Sequence, residues 1–416
     1  MARLFSHRLD WNAAENSLAG AEARARANPH GERPLIDLTA SNPTTVGLPD
    51  EDGRLAAGLA AALAGACANI YAPTPRGARE AREAVAESYR AAGVAITPDD
   101  LLLTASSSES YAFLFKLLCD PGDAVLVPTP SYPLFDYLAR LEGVVPIPYR
   151  LGYQPEGRWH VDLSSVDEAL NRARREGRLV RAIVVVSPNH PTGSVLTERE
   201  ANALDERAAA CGAALIADEV FGDYVRRPAP EQVRCLAARA NAALTFSLGG
   251  LSKGACLPQM KVGWIAAGGP PGAVAEALTA LELIADTYLS VNSPAQAALP
   301  ALLRLGPVAR AALNTRLSAN AGFLRATADA GSALSVLDSE GGWSLIVRVP
   351  AVISDEAWAH TLLERDALLV QPGYFFDLEG GTFLVVSLLL PEGAFQEGIR
   401  RLAARVAAVT ETPGVS

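Results

Sequence analysis

Between about residues 54 and 300 the chain alternates short apolar runs with longer segments of helical periodicity, and that alternation leaves few folds open. The run Ala182–Ser187 (Ala-Ile-Val-Val-Val-Ser) has almost no polar position, as expected of a strand covered on both faces. Leu101–Thr104 reads as a strand followed by an amphipathic helix over Glu109–Cys119. Pro121-Gly122-Asp123 then turns the chain into a strand over Ala124–Pro128, and Leu215–Asp218 and Leu244–Ser247 repeat the pattern. Beyond Pro307 the character changes to a long Ala/Leu/Arg helix, Val308–Ala330, and two strands, Trp343–Val349 and Thr382–Leu388. The expectation is an α/β chain of 416 residues in two units, since one core rarely grows so large. Residues 54–305 form the large unit around a mainly parallel sheet; residues 1–53 join 306–416 in a smaller α+β unit. The tail Thr410–Ser416, with Pro413 and Gly414, reads as disordered.

Composition removes several classes of function. The net charge is −10 and no basic run is present, so generic nucleic-acid binding, which depends on neutralising phosphates, is not expected. The longest apolar stretches, such as Leu384–Leu390, fall far short of the roughly 20 residues that span a bilayer. The first residues carry Arg3, Arg8 and Asp10 and no apolar segment of a secretory leader. Cys67, Cys119, Cys211, Cys235 and Cys256 stand far apart, without metal-ligand or disulfide spacing, and read as buried thiols of a reducing compartment. A cytoplasmic enzyme, with no metal and no membrane or nucleic-acid partner, is the leading expectation.

The candidate chemistry sits at strand ends, where a packed sheet has no need of polar residues. Thr104-Ala105-Ser106-Ser107-Ser108 runs off a strand into a helix, a ready cradle for phosphate but also an ordinary N-cap. Ser187-Pro188-Asn189-His190-Pro191-Thr192-Gly193 ends a second strand in a proline-rich turn. Ala217-Asp218-Glu219 leaves a carboxylate at the end of a third. Ser252-Lys253-Gly254 sets a lysine among small residues. Taken singly, the acid reads as a cap and the lysine as a surface residue.

Together, in this order and spacing, these segments resemble the class I/II aminotransferase family of fold-type I pyridoxal-phosphate enzymes. The resemblance runs from Ser41-Asn42-Pro43 to the Pro372-Gly373 turn and the strand at Phe383–Leu388. It implies a large domain with a seven-stranded-type, mainly parallel sheet and pyridoxal 5′-phosphate as cofactor. Lys253 matches the lysine that carries the cofactor and then moves protons, and Asp218 the carboxylate that pairs with the pyridinium nitrogen. Tyr132 matches the aromatic stacked on the ring, and Ser106, Ser107 and Ser108 the phosphate turn. Tyr71, in Tyr71-Ala72-Pro73-Thr74-Pro75-Arg76-Gly77, matches the tyrosine that reaches the neighbouring subunit's phosphate, which implies a homodimer.

The chain departs from the family pattern at several of these positions. His190 stands where the family has the asparagine of Asn-Pro-Thr-Gly, Phe221 where it has a tyrosine, Lys261 where it has a phosphate-binding arginine, and Gly250 where it has a serine. Aligned through Ser387, Val385 replaces the arginine that grips the substrate α-carboxylate. The surrounding Leu257-Pro258-Gln259-Met260-Lys261 resembles a bacterial subgroup in which that arginine is also absent. Ser41, Asn42, Arg76 and Trp343 complete the candidates on the substrate side, and Arg79 next to Arg76 reads as a surface arginine or a second reach into the partner's site. His190 and a partner's Arg76 are the candidate replacement cations. The expected activity is transfer of an amino group between an amino donor and an oxo acid. Lyase, cyclase, decarboxylase or oxidase chemistry on the same fold stays open, as does a non-catalytic binding descendant.

Overall fold

The computed structural model describes residues 4–11, 17–27, 33–48, 53–65, 71–154 and 157–411. Cys67 and residues 412–416 of the tail lie outside these; the expected boundary between residues 53 and 54 falls at the start of the helix Arg54–Gly65. Strand β1 (Ile36–Asp37) comes first and finds its partner much later in the chain. The central sheet is built from β2 (Leu101–Thr104), β3 (Ala124–Thr129), β4 (Val145–Tyr153), β5 (Trp159–Val161), β6 (Val180–Val186), β7 (Ala214–Asp218), β8 (Thr245–Gly250) and β9 (Gly263–Gly268). Their order is β2-β9-β8-β7-β6-β3-β4-β5. Neighbours from β8 through β4 pair in parallel; β9 runs antiparallel to both β8 and β2, so β2 points the same way as β8. The sheet therefore has eight strands where seven were expected. The extra one, β5, is a three-residue antiparallel edge strand on β4, too short to leave an apolar run in the sequence.

Every residue of β2, β7 and β8 is buried, as a sheet covered by helices on both faces requires. One face packs Leu102, Val125, Val184, Ile216 and Phe246 against Tyr111, Phe115 and Leu281. Each such fully buried side chain contributes roughly 1.5–3 kcal/mol. The carboxyl ends of β2, β3, β6, β7 and β8 all meet one edge of the sheet, where open α/β sheets bind ligands.

The helix expected over Val308–Ala330 runs from Ser293 to Asp329, passing without a break through residue 305. Pro300 and Pro307 lie inside it, and proline in a helix interior normally argues for a stop, which is why its first half was missed. The core changes along this helix: Ala298, Leu299 and Leu302 pack with Leu101, Leu103 and Trp264, while Ala309, Leu313, Leu317 and Leu324 pack with Trp358 and Phe395. That second core also holds Leu18, Ala21, Ile36 and Leu38 from the N-terminal segment.

A smaller antiparallel sheet is ordered β10 (Ser335–Val336), β11 (Ser344–Val349), β14 (Thr382–Ser387) and β13 (Gln371–Pro372), while β12 (Leu368–Leu369) pairs in parallel with β1. Helices at Ser107–Leu118 and Glu392–Glu411 correct two sequence boundaries, since Ser107, Ser108 and Thr410 are helical. The cysteine reading also needs correction: Cys235 and Cys256 are buried, but Cys211 is exposed and Cys119 intermediate. Among the described residues, no helix is long and apolar enough to cross a membrane.

Candidate active site

Lys253 lies in the short turn Leu251–Gly254 directly after β8, with Leu251 fully buried as its anchor. Its Nζ stands 4.6 Å from the Trp343 ring centroid, 5.5 Å from that of Phe221 and 3.5 Å from the Ser41 carbonyl oxygen. Burial lowers the amine's pKa below the usual lysine value, and the Asp218 charge opposes that shift. Asn42 does not touch the amine; its Oδ1 caps its own loop, accepting from Thr44 N at 3.0 Å and Thr44 Oγ1 at 2.8 Å.

Asp218 closes β7 as a buried carboxylate. It accepts from the Tyr111 hydroxyl at 3.3 Å and from Val220 N at 3.2 Å, and no cation lies at hydrogen-bond distance among the described residues. Burial raises its pKa to about 6, against the pull of those two bonds and the Lys253 charge. Tyr111, on the helix behind the serine turn, was not singled out in the sequence. Its signal was a phenol on the inward face of a helix, which is indistinguishable there from core.

His190 ends the turn after β6 inside an aromatic enclosure. Its ring centroid is 6.0 Å from Tyr132, 6.2 Å from Phe221 and 5.3 Å from Phe376, and its Nδ1 is 3.5 Å from Ser344 Oγ. Burial, then the Lys253 charge, pushes its pKa down to about 4, so the ring is neutral at physiological pH and is no replacement cation. The turn is locked to the smaller sheet's approach by Gly193, whose φ is +67° and whose absent Cβ would lie 1.9 Å from Ser339 Oγ.

At the serine turn, Ser106 caps the helix, its Oγ accepting from Glu109 N at 3.2 Å, and the Glu109 carboxylate accepts from Ala105 N at 2.6 Å. The first-turn amides of Ser107 and Ser108 keep the positive end of the helix without an intrahelical acceptor. Thr104 pairs with Gly263 across β2 and β9, and this brings Lys261, two residues earlier, to the same turn. Tyr132 is half exposed. Tyr71 is 77% exposed and lines a shallow pocket with Pro73, Thr74, Leu289 and Ser290.

Two substrate-side candidates have contacts of their own within the chain. The Arg76 guanidinium donates to the carbonyls of Asp99 and Leu101 (3.2 Å to the latter), so it is engaged within its own chain. Arg79 likewise pairs with Glu83 at 3.0 Å and Asp99 at 2.9 Å. Val385 is buried in an apolar cluster with Trp159, Leu337, Ile346, Phe376 and Phe383, one ring removed from His190 through Phe376. Phe376 itself carries no sequence signal beyond its apolar character.

The residues fit pyridoxal 5′-phosphate in the chemistry of their donor set. A buried carboxylate lacks a close cation, an amine has a lowered pKa, and helix amides are open to phosphate. Two buried donors, Asn189 Nδ2 next to His190 in the chain and Trp343 Nε1 beside the Lys253 amine, have no acceptor among the described residues.

The family model described as aminotransferase class I and II matches residues 33–402. The valine–pyruvate aminotransferase of Mycobacterium tuberculosis is 28% identical over 394 residues, 92% of this chain and 93% of that protein. A tyrosine aminotransferase of Caenorhabditis elegans is 25% identical over 356 residues, 85% of this chain and 74% of that protein. In fold, the alanine aminotransferase of Pyrococcus furiosus superposes with a TM-score of 0.83 at 23% identity, covering 97% of this chain and all of that one.

Proposed function

The chain belongs to the class I and II aminotransferase family and is an enzyme that transfers amino groups; we propose that it does so on pyridoxal 5′-phosphate held by Lys253, as a cytoplasmic homodimer. The observation that carries the reading is the convergence of Lys253, Asp218, His190 and the Ser106 turn on one edge of the sheet from four separate strand ends. We further propose residues 54–305 as the cofactor-binding domain and 1–53 with 306–416 as the smaller one.

When bound, the cofactor supplies an electron sink for the carbanion formed as a substrate Cα–H bond breaks. Asp218 is suited to hold a proton on the pyridine nitrogen, because a buried carboxylate gains most from a cationic partner. The amides and hydroxyls of Ser106, Ser107 and Ser108, with Lys261, would hold the phosphate, and Tyr132 would cover one ring face. Neutral His190 would donate to the ring oxygen as an asparagine does. The downward shift that burial gives the Lys253 pKa favours the unprotonated amine, the form that a group taking a proton from Cα requires. The enclosure of Trp343, Phe221, Phe376 and Tyr132 keeps water from that proton.

The exposure of Tyr71 supports its reaching a second subunit. Val385 supplies no charge, so the substrate carboxylate must meet other donors. The Asn189 amide and Trp343 indole, without acceptors among the described residues, are the neutral candidates, and the carbonyl of Ser41, with Asn42 next to it in the chain, borders the Lys253 amine. Anaerobic incubation with a panel of amino donors tests the activity. Stoichiometric conversion of the bound cofactor to its amino form, reversed by an oxo acid, is expected. Release of ammonia or carbon dioxide without that conversion would replace transfer with another Cα chemistry.

A further inference from the structure

We infer that Tyr224 is a positioning residue: its phenol fixes the main chain of Lys253, and through its ring ties the lysine to the Gly341-Gly342-Trp343 turn. The inference rests on Lys253 being the reacting amine. Phe221 leaves the chain without a hydroxyl at one position, and one short helical turn later (Gly222–Tyr224) a phenol points to the backbone of the lysine instead. Tyr224 is fully buried, and its hydroxyl donates to the Lys253 carbonyl at 2.8 Å. The same oxygen lies 3.3 Å from Cys256 Sγ. With the phenol proton on the carbonyl, the thiol can donate to the phenol oxygen or, at 3.9 Å, to the Lys253 carbonyl itself, so Cys256 and Tyr224 form a relay onto that carbonyl.

The turn that this relay holds is not relaxed. Cys256 sits at φ +57°, a left-handed conformation that a side chain disfavours, so its neighbours must define it. Arg310, on the long helix, donates to the next carbonyl, Gly254 O, and faces Asp223 at 3.4 Å. On its other side the Tyr224 carbonyl accepts from Gly342 N at 3.0 Å, and its ring lies 5.0 Å from that of Trp343, the same indole that lies under Lys253 Nζ. A lysine held at both its carbonyl and its amine end by one Tyr–Trp pair keeps its amine desolvated; loosening the carbonyl frees it.

The test uses Tyr224→Phe, which keeps the ring packing and removes only the hydroxyl. The chain has three lysines, Lys116, Lys253 and Lys261, so peptide mass mapping resolves each one. In the full chain stripped of cofactor, the pH dependence of acylation gives the Lys253 pKa, with Lys116, paired to Glu142 at 2.7 Å, as the internal control for global folding. The titratable groups whose charges this amine senses are Asp218, His190 and Cys256, all retained in the variant. The expected result is a Lys253 pKa that rises towards the ordinary lysine value while that of Lys116 stays put. In the loaded enzyme kcat should fall about five- to tenfold, the worth of one hydrogen bond, with KM little changed. An unmoved Lys253 pKa overturns the inference, whatever happens to kcat. A raised pKa with undiminished kcat upholds the clamp and instead counts against Lys253 as the reacting amine. If Tyr224→Phe does not fold, Arg310→Gln removes the neighbouring clamp on Gly254 and must raise the Lys253 pKa in the same direction, or the inference fails.

Discussion

Replacing Asp218 by asparagine should stabilise the cofactor-free protein, even though the same change should disable the loaded enzyme. The carboxylate is 9% exposed and receives two long hydrogen bonds, at 3.3 and 3.2 Å. Its pKa rises from 3.8 to about 6 on folding, so the folded state binds more protons than the unfolded one between those values. The linked penalty is absent below pH 3.8, grows through the window and is complete above pH 6. A shift of about 2 pKa units is worth about 3 kcal/mol. Integrated over pH, the advantage of Asp218→Asn should grow from about 1 kcal/mol at pH 4.5 to about 3 kcal/mol at pH 8. Glu219 next to it is also pushed up, to about 7, chiefly by burial, which is common to both proteins; its smallest cause is the Asp218 charge, and losing that in the variant adds to the advantage in the same direction. Urea unfolding of both proteins at several pH values and one fixed protein concentration measures this gap. A gap that is flat with pH, or that shrinks as pH rises, would refute the picture of a desolvated carboxylate awaiting a cationic partner.

Other substitutions probe the surroundings. Val385→Arg places an unpaired cation among Trp159, Phe376 and Phe383 at a position 1% exposed; we expect a loss of about 3–5 kcal/mol in urea unfolding and no gain in turnover of common amino acids. On the proposal that Phe221 stands beside the cofactor's ring oxygen, Phe221→Tyr should add a donor there and move the pH midpoint of the loaded enzyme's visible absorbance down; an unchanged or higher midpoint would remove Phe221 from that place. Gly193→Ala forces a Cβ to within 1.9 Å of Ser339 Oγ at φ +67°, so calorimetry should show a clear drop in Tm; wild-type stability would show that the His190 turn is not held against Ser339.

The sheet was legible in the sequence because buried strand interiors leave uninterrupted apolar runs, as Ala182–Val185 and Ala214–Ala217 do. β5 was not, because three residues carry no periodicity. The first half of the long helix was hidden by Pro300 and Pro307, whose local preference is outweighed by the packing of Leu299 and Leu302. At the candidate site, Lys253, Asp218 and His190 drew notice because each is a polar residue near a strand end and the three follow in one family order. Tyr111, Tyr224 and Phe376 did not, because an aromatic on an inward face looks the same whether it packs a core or orients a charge. Arg76 drew notice as a charge beside Tyr71, and sequence could not show that the carbonyls of Asp99 and Leu101 already take its guanidinium.

The central claim is that Lys253 carries the cofactor. Borohydride reduction of the purified protein followed by peptide mapping tests it directly, because the primary amines that can take the label are the N-terminal α-amine and the side chains of Lys116, Lys253 and Lys261, each on a peptide of its own to resolve. The account predicts a stable phosphopyridoxyl group on Lys253 alone, and none in Lys253→Ala; the label on Lys116 or Lys261, or no incorporation at all, would contradict it.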